Sequence, residues 1–275
     1  MIADLHCHSN ISDGILSPTE LVQVAKKNSI DLLSLTDHDS VDGLKEAKKI
    51  ADKLNIQFLT GIEISTIWQK KPIHIVGLNF NPDDRIMQEG LKKLINSRQN
   101  RAIKIAKKIE NLGLSGVLER VSILAGNKNI SRTHFATYLI EQKKCNTMQE
   151  AFDKYLADNK RCCVPLLSVD LSDAVGWIKN AGGVAVVAHP MRYKMTMSWL
   201  NHLCQDFKNL GGDGIEVISG RTNEQDIKTA TNLCVDYDFK ASIGSDFHNP
   251  KNKFVYLGMN KKLPKKLTPI WQDML

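Results

Sequence analysis

Short apolar strand segments alternate with amphipathic helical segments from residue 2 to about residue 80. The strand segments read IADLH, IDLLSLTD, IQFLTGIEIS and PIHIVGLNF. After the first of them, Ser17-Pro18-Thr19-Glu20 is a capping box with proline at the first helical position, which predicts a helix through ELVQVAKKN. A second helix is predicted over GLKEAKKIADKL, with Asp42 as its N-cap. Strands that alternate with helices predict a parallel sheet in an α/β fold.

The alternation breaks at about residue 82 and returns at about residue 163. The segment in between contains only helical patterns, of which the longest is DDRIMQEGLKKLINSRQNRAIKIAKKIENLG. Beyond it, the strand segments GVAVVAHP, GIEVIS and KASIGSDFH again alternate with helical ones. The sequence therefore predicts an α/β fold, a distorted (β/α)7 barrel built from residues 1–81 and 163–275. Residues 82–162 are predicted to form an inserted all-helical subdomain that contributes to substrate binding.

The cysteine spacing and the apolar runs of the sequence indicate where in the cell the protein is expected. Six cysteines have no CxxC pair and no regular spacing, which is typical of the reduced thiols of a cytosolic protein. The strongest apolar run, GGVAVVAHP, is too short to cross a bilayer, and the first residues do not resemble a secretory leader. We therefore expect a cytoplasmic protein without a membrane partner. The net charge of +7 at pH 7 favours polyanionic ligands but does not identify one.

Histidines and carboxylates gather where the predicted strands end. In a strand, residues two apart point to the same face, so His6 and His8 point the same way after the first strand, and the third strand is predicted to end near Glu63. The carboxyl ends of barrel strands meet at one mouth. A buried cluster of imidazoles and carboxylates without a cation would be strongly unfavourable. We therefore predict a metal site formed by His6, His8, Asp13, His38, Glu63, His74, His189, Asp246 and His248.

Nine candidate ligands are more than one ion needs. Mixed imidazole and carboxylate ligands suit Mn²⁺, Zn²⁺ or Fe²⁺, whereas Mg²⁺ and Ca²⁺ prefer shells made only of oxygen. The set predicts two or three divalent ions per chain, with Mn²⁺ as the expected ion and Zn²⁺ or Fe²⁺ as alternatives. A metal-bridging water has a pKa lowered from ~15.7 towards ~7, and its hydroxide form can attack phosphorus in line. The sequence therefore predicts a hydrolytic centre of the kind used for phosphoesters.

Six motifs, read in chain order, resemble those of a known family. They are DLHCHS with the following SDG, then LTDHD, GIEIS, HIVGL, VAHP and GSDFH, and together they span the whole chain. The sequence thus resembles the PHP (polymerase and histidinol phosphatase) metallophosphoesterases, which implies a PHP barrel. The segment ISRTHFATYLIEQKKCNTMQEAFDKYLADNKRCCVP resembles the helical subdomain of the RNase AM and TrpH-like branch. That branch implies removal of the 3′-phosphate of nucleoside 3′,5′-bisphosphates, 5′→3′ exoribonuclease activity on short 5′-phosphorylated RNA, or both.

The resemblance also implies roles for individual residues. In the insertion, Arg132 and His134 match a pair that grips a substrate phosphate, and Arg192 matches a further arginine near the site. The turn before the pair reads ISRTH where many relatives have a glycine-arginine-proline-histidine run, so its local geometry does not carry over. The implied ligand sets are His6, His8, Glu63 and Asp246 for one metal, Asp13, His38 and His248 for a second, and Glu63 with His74 and His189 for a third.

Proton transfer to the leaving oxygen needs a group beside the metals. Asp37 and Asp39 flank His38, and these three are predicted as catalytic residues. An equal alternative for Asp37 is a carboxylate that orients a ligand histidine. Glu216 is predicted to support the barrel mouth rather than to bind metal, and Trp68 is predicted either to lie near substrate or to pack within its loop.

The expected ligand is a nucleotide or a short RNA, and duplex DNA is not expected. The basic stretch at Arg101, Lys104, Lys107 and Lys108 is predicted to be a solvated helix face, with an RNA track as the alternative. Competing functions are a phosphatase for histidinol phosphate or another small molecule, and an amidohydrolase, which shares the HxH opening but places its metal bridge on a middle strand. A non-catalytic metal-binding module is the remaining alternative.

Overall fold

Seven strands form a nearly closed barrel. The computed structural model describes residues 1–126, 130–165, 168–259 and 262–275. The strands are β1 (Ala3–Asp4), β2 (Leu32–Leu35), β3 (Gln57–Trp68), β4 (Lys71–Leu78), β5 (Val169–Asp170), β6 (Val184–Val187), β7 (Gly214–Ser219) and β8 (Lys240–Gly244). The described strands run in the order β1-β2-β3-β4-β6-β7-β8, and the short β5 pairs with β3 outside this path.

Backbone hydrogen bonds between the two end strands close the barrel. The Leu5 N–H donates to the Ile243 carbonyl at 3.0 Å, and the His8 N–H donates to the Phe247 carbonyl at 2.9 Å. These contacts continue beyond β1 and β8, so the segments that follow the first and last strands lie side by side. The beginning and the end of the sequence therefore meet at one mouth of the barrel.

β3 and β4 form an antiparallel hairpin, which corrects the expectation of a parallel sheet. Gln69 and Lys70 connect them with φ angles of 49° and 63°, and two successive positive φ angles are characteristic of a type I′ hairpin turn. β4 is also antiparallel to β6, whereas the other barrel neighbours are parallel. The hairpin carries β3 five residues beyond Glu63, so the predicted strand end there is wrong. The distorted seven-stranded α/β barrel itself is confirmed.

The helices mostly begin where the sequence predicts. α1 starts with the predicted capping box, in which the Glu20 N–H donates to Ser17 Oγ at 3.2 Å and the Ser17 N–H donates to Glu20 Oε2 at 2.8 Å. The prediction that Asp42 caps α2 is wrong, because the turn bonds the Asp42 N–H to Ser40 Oγ and the cap position passes to Gly43. The helices are α1 (Pro18–Lys27), α2 (Leu44–Lys53), α3 (Arg85–Glu110), α4 (Val117–Leu124), α5 (Arg132–Glu141), α6 (Met148–Ala151), α7 (Leu171–Asn180), α8 (Met197–Asn209) and α9 (Glu224–Asp236).

The buried apolar residues form two cores that share the long helix α3. Met87 and Leu91, in the first half of α3, pack into the barrel core. Ile105 and Ile109, in its second half, pack into a smaller core with residues of α4, α5 and α6. The first half of α3 therefore fixes the helical segment to the barrel. The division of the chain into two domains at residues 82 and 162 stays a prediction.

Among the helices of the described residues, none combines the length and the apolar character needed to cross a membrane.

Candidate metal centre

Eight of the nine predicted ligands lie in three overlapping groups at the barrel mouth. Within each group, the candidate ligand atoms lie within 4.8 Å of one another. The ninth residue, His189, contacts the same cluster through its ring nitrogen Nε2, 2.9 Å from Glu63 Oε1. The groups found among the described residues are His6, His8, Glu63 and Asp246; His8, Asp13, His38 and His248; and His38, Glu63 and His74.

The fully buried carboxylate of Glu63 lies at the centre of the cluster. Its position in the middle of β3 lets both oxygens face histidines from neighbouring strands. The Oε2 oxygen lies 3.2 Å from His6 Nε2, 3.2 Å from His8 Nε2 and 3.0 Å from His38 Nδ1. The Oε1 oxygen lies 2.8 Å from His74 Nδ1 and 2.9 Å from His189 Nε2. One carboxylate therefore reaches five imidazole rings, as a bridging ligand would.

Asp13 joins the second group from the loop after β1. Its Oδ1 lies 3.3 Å from His248 Nε2 and 4.0 Å from His38 Nε2. The His8 and His248 rings are stacked with centroids 4.1 Å apart. His8 thus contributes to two groups, whereas the sequence assigns it to one.

The donor set fits divalent cations. Ring nitrogens His6 Nε2 and His8 Nε2 face each other at 3.1 Å, a separation at which two lone pairs repel unless a proton or a cation lies between them. Buried polar atoms without a partner cost about 1–3 kcal/mol each, and native proteins rarely concentrate them. Cations at the three groups would give partners to three buried atoms there that lack a hydrogen bond, which are Asp13 Oδ1, His38 Nδ1 and Glu63 Oε2.

Burial and neighbouring charges set the pKa values of the cluster. Burial opposes ionisation of Glu63, but the imidazoles of His38 and His6 outweigh it and hold the pKa of Glu63 well below its ordinary value. Burial also opposes a charge on His8, yet hydrogen bonds to Asp246 and Glu63 raise its pKa to about 10. For His38 burial dominates and lowers the pKa to about 3. At neutral pH Glu63 is therefore ionised and His38 is neutral, the states that metal binding requires, whereas His8 carries a proton that a bound cation would displace.

Glu216 holds two members of the cluster in place, as the sequence predicts. It lies on β7, where its Oε1 is 2.7 Å from His6 Nδ1. Its Oε2 accepts the backbone N–H of His189 at 2.6 Å. When a histidine binds a metal through one ring nitrogen, a carboxylate that accepts a hydrogen bond from the other nitrogen fixes the orientation of the ring and raises the basicity of the ligand.

The proton-transfer role predicted for Asp37 and Asp39 finds no support in the geometry. Asp37 Oδ1 accepts from the Ser9 N–H at 2.8 Å and from Ser12 Oγ at 2.7 Å, while Oδ2 accepts from Ser9 Oγ at 2.6 Å. Both oxygens of Asp37 are thus used to hold the loop that follows His8. Asp37 therefore supports the loop after His8 through serines rather than through a ligand histidine, and its catalytic role stays a prediction.

Both oxygens of Asp39 also accept hydrogen bonds, and one of the donors is Arg98, a residue that the sequence prediction missed. Asp39 Oδ1 accepts from the Ser65 N–H at 2.7 Å, and Oδ2 accepts from Arg98 Nε at 2.6 Å. Arg98 is buried although it lies on the long basic helix α3. A signal for it exists in the sequence, because Arg98 occupies the apolar stripe of the helix, four residues after Leu94 and four before Ala102.

A cavity of about 350 Å³ opens beside the ligand groups. Three arginines line it on the insertion side, and three candidate ligands line it on the barrel side; we call it the arginine cavity. Lys70, at the tip of the β3–β4 hairpin, also contributes to its wall. Its six defining residues are Arg98, Arg101, Arg132, Asp13, His38 and His74.

Arg101 belongs to this cavity and not to a solvated helix face, so that prediction is wrong for it. Its Nε donates to the Val164 carbonyl at 2.7 Å. Burial, together with the nearby charges of Arg132 and Arg98, lowers the pKa of the Arg101 guanidinium to about 10. The prediction is confirmed for the other basic positions of the stretch, which are exposed: Lys104, Lys107 and Lys108.

Arg132 and His134 face different cavities. Arg132, the first residue of α5, reaches the arginine cavity, where its Nη1 lies 3.4 Å from Asp158 Oδ1. His134 accepts the Ser131 N–H on Nδ1 at 3.0 Å and lines a separate cavity of about 690 Å³. Residues two apart on a helix project about 200° from each other. The two side chains thus line different but adjoining cavities, and their role as a phosphate-binding pair stays a prediction.

Comparison with known proteins identifies the family. The model of the PHP domain matches residues 4–161. A 5′-3′ exoribonuclease from Haemophilus influenzae is 40% identical over 270 residues, covering 98% of this chain and 97% of the relative. A 3′,5′-nucleoside bisphosphate phosphatase from Chromobacterium violaceum is 39% identical over 272 residues, covering 98% and 95%. The chain belongs to the PHP domain family.

A solved structure shares the fold of this PHP chain. It is described as an amidohydrolase from Chromobacterium violaceum, with bound sulfate and no metal. It is 39% identical, superposes with a TM-score of 0.93, and the match covers 100% of this chain and 96% of that one. The PHP barrel implied by the six sequence motifs is therefore confirmed.

Arg192 lies next to the first ligand group of the PHP site. Its Nη1 donates to Asp246 Oδ2, and its backbone N–H donates to the His189 carbonyl at 2.9 Å. His189 itself has a φ of 31°, in the left-handed region. The tight turn from His189 to Arg192 thus brings an arginine against a candidate ligand, as the resemblance implies.

Trp68 packs against α8, whereas both predicted alternatives placed it in a loop. It is buried at the end of β3, where Nε1 donates to Asp206 Oδ2 at 2.8 Å and its ring meets the edge of Trp199. Five of the six cysteines are buried and Cys163 is half-buried. Neither residue type contributes to the candidate metal centre.

Proposed function

We propose that this chain is a divalent-metal-dependent phosphoesterase. It removes the 3′-phosphate of nucleoside 3′,5′-bisphosphates and releases nucleotides from the 5′ end of short 5′-phosphorylated RNA. The observation that carries the proposal is the continuity of two charged sites: Asp13, His38 and His74 belong to the ligand groups and also line the arginine cavity. A substrate can therefore place one phosphate at the ligand groups and a second among the arginines. The names of the two relatives support both substrates.

Two or three divalent ions would be held by the three ligand groups, with His189 beside the third. The mixture of imidazole and carboxylate favours Mn²⁺, with Zn²⁺ and Fe²⁺ as alternatives. Such ions supply a water of lowered pKa and neutralise charge on the phosphate oxygens. In both proposed reactions the water oxygen bonds to phosphorus, the bond from phosphorus to the ribose 3′ oxygen breaks, and that oxygen gains a proton. One bond-breaking geometry thus serves a bisphosphate and an RNA.

The protein residues supply binding and orientation. Glu63 and Asp246 stay ionised, because the surrounding histidines hold the pKa of each well below its ordinary value despite burial. Arg101 and Arg132 offer guanidinium groups that bind phosphate through charge-assisted hydrogen bonds, each about twice as strong as a neutral one. The insertion, predicted as residues 82–162, provides both of them. This arrangement accounts for a substrate that carries two phosphates.

Substrate comparison tests the proposal. Purified protein is incubated with Mn²⁺ and with four substrates in parallel: adenosine 3′,5′-bisphosphate, a 5′-phosphorylated RNA oligomer, histidinol phosphate and an amide. Phosphate release and chromatography of the products are measured with and without chelator. We expect turnover of the first two substrates, loss of both activities with chelator, and adenosine 5′-phosphate as the product of the bisphosphate.

Three results would contradict the proposal. Cleavage of histidinol phosphate without cleavage of the nucleotides would favour the small-molecule phosphatase. Turnover of the amide alone would favour the amidohydrolase. Release of the 5′-phosphate instead of the 3′-phosphate would reverse the orientation in which the arginine cavity holds the second phosphate.

A further inference from the structure

A second cavity, besides the arginine cavity, borders the ligand groups. It measures about 690 Å³ and is lined by Asp13 and His248 of the second ligand group. Small-molecule sites typically span roughly 300–1,000 Å³. The two cavities share Asp13 and Thr133, so they adjoin at the candidate metal centre. We call the second one the Ile123 cavity, defined by Ile15, Ile123, Thr137, Met148 and Asn249 with Asp13 and His248.

The walls of the Ile123 cavity carry unusually exposed apolar side chains. Ile15 is 53% exposed, Ile123 is 58% exposed and Met148 is 38% exposed. Ile15 comes from the barrel loop after β1, whereas the other two come from the inserted helices. Apolar residues scattered singly on a surface need no explanation, but several around one concave site are typical of a binding site. Thr137 and Asn249 add hydrogen-bonding groups to the same walls.

The two proposed substrates differ in the chemical group that follows the phosphate at the ligand groups. In a bisphosphate, the phosphate at the ligand groups ends the molecule. In RNA, the same phosphate continues into a second nucleotide, which needs space next to the ligand groups and outside the arginine cavity. Another cavity at the cluster, beside His189 and Arg192, measures only about 80 Å³ and is too small for a nucleotide. Among these cavities of the described residues, the Ile123 cavity has the room.

We propose that the Ile123 cavity binds the second nucleotide of an RNA substrate, with its base against Ile15, Ile123 and Met148. This inference rests on the proposed function and assigns a separate part of the site to RNA alone. Bases are held in protein sites by stacking and apolar contact, with hydrogen bonds to their edges. The arginine cavity serves both substrates, whereas the Ile123 cavity serves only the longer one.

Substitutions in the cavity walls separate the two activities. The substrates are adenosine 3′,5′-bisphosphate and a 5′-phosphorylated RNA dinucleotide, which has one nucleotide beyond the cleaved phosphate. Ile123→Asp changes the cavity wall that the insertion provides, and Ile15→Asp changes the wall that the barrel provides. Ile86→Asp is the matched control, because Ile86 is 45% exposed on α3 and does not line either cavity.

We expect kcat/KM for the dinucleotide to fall about tenfold or more in both cavity variants, since each variant replaces an apolar contact with the base by a carboxylate. Hydrolysis of the bisphosphate should change by less than about twofold, which also shows that each variant is folded. The control should retain both activities. Equal losses on both substrates, or no loss on the dinucleotide, would overturn the second-nucleotide site. Wild-type protein that cleaves only the bisphosphate would also overturn it, and wild-type protein that cleaves neither substrate would refute the proposed function itself.

Discussion

Arg98 Nε donates to Asp39 Oδ2 at 2.6 Å, and this buried ion pair joins the inserted helices to the candidate metal centre. Asp39 follows the candidate ligand His38 and has a φ of 52°. Its other oxygen accepts the Ser65 N–H at 2.7 Å, and Arg98 Nη2 donates to Ser65 Oγ at 2.9 Å. One pair therefore fixes the loop that carries His38 against β3 and α3.

Replacement of Arg98 by methionine should destabilise the protein strongly. Arg98→Met leaves the Asp39 carboxylate buried without its cation, and breaking a buried pair in this way costs about 3–5 kcal/mol. The free energy of unfolding is measured by urea denaturation in chelator, so that metal binding does not contribute. Adding Asp39→Asn to Arg98→Met should recover part of the loss, because the double variant no longer buries an unpaired charge.

The exposed pair of Arg85 and Glu89 provides the control for Arg98. It lies on the same helix, with Arg85 Nε 3.2 Å from Glu89 Oε1 and the Arg85 side chain 88% exposed. Arg85→Met should change the free energy of unfolding by less than about 1 kcal/mol, as is usual for exposed ion pairs. Similar losses for both arginines would show that the burial of the Arg98–Asp39 pair is unimportant.

Glu63 and Glu216 should differ sharply in their effect on metal binding. Glu63→Gln removes the carboxylate that faces five histidine rings, so we expect metal affinity and turnover to fall by more than about 100-fold. Glu216→Gln removes only the charge behind His6, a change that usually costs about 10–100-fold. Bound metal is measured by mass spectrometry after dialysis, and turnover is measured on adenosine 3′,5′-bisphosphate. A larger effect of Glu216→Gln would contradict the central position given to Glu63.

The ligand residues could be predicted because the strand pattern determines where they lie. His6 and His8 share a face through the two-residue period of a strand. Asp246 and His248 come directly after β8, next to them, because the barrel closes. The antiparallel direction of β4 could also have been predicted, because only six residues (66–71) separate the two predicted strand segments, fewer than a parallel crossover needs. His74 reaches Glu63, because the antiparallel register pairs it with Ser65, two residues further along β3.

Contacts between distant segments were harder to predict. Arg98 is separated from Asp39 by 59 residues, and no local pattern indicates which acid an arginine on an apolar stripe will meet. Helical periodicity predicts that Arg132 and His134 point in different directions, because two positions along a helix correspond to about 200° of rotation. It does not predict which cavities they reach, since these depend on contacts between the insertion and the barrel.

Arg132 should act on the second phosphate of the substrate. We expect Arg132→Ala to raise KM for adenosine 3′,5′-bisphosphate about 10–100-fold, since a hydrogen bond to a charged group contributes about 1.5–3 kcal/mol. Hydrolysis of p-nitrophenyl phosphate, which has one phosphate, should change little. Arg120→Ala is the control, because Arg120 belongs to the same insertion but pairs with Glu141 at 2.7 Å away from the cavity. Equal losses on both substrates would contradict a role in binding the second phosphate.

His134 should make the stability of the protein depend on pH. Burial lowers the pKa of its imidazole below the ordinary value of 6.5, although the charge of Asp13 opposes the shift. As pH falls below about 6.5, the unfolded chain binds a proton at His134 before the folded protein does. The stability associated with neutral His134 is therefore present above pH 6.5 and is lost as pH falls through the lower folded-state pKa.

Replacement of His134 tests this pH dependence. Urea midpoints of wild-type protein and His134→Asn are compared at pH 7.5 and pH 5.5 in chelator, where the other histidines titrate in both proteins. We expect the wild type to lose more stability than His134→Asn between the two pH values, because only the wild type has the half-buried His134 imidazole. His202 is exposed, so His202→Asn should lose as much stability as the wild type. A loss in His134→Asn as large as in the wild type would mean that this imidazole is not shielded enough from water to couple folding to protonation.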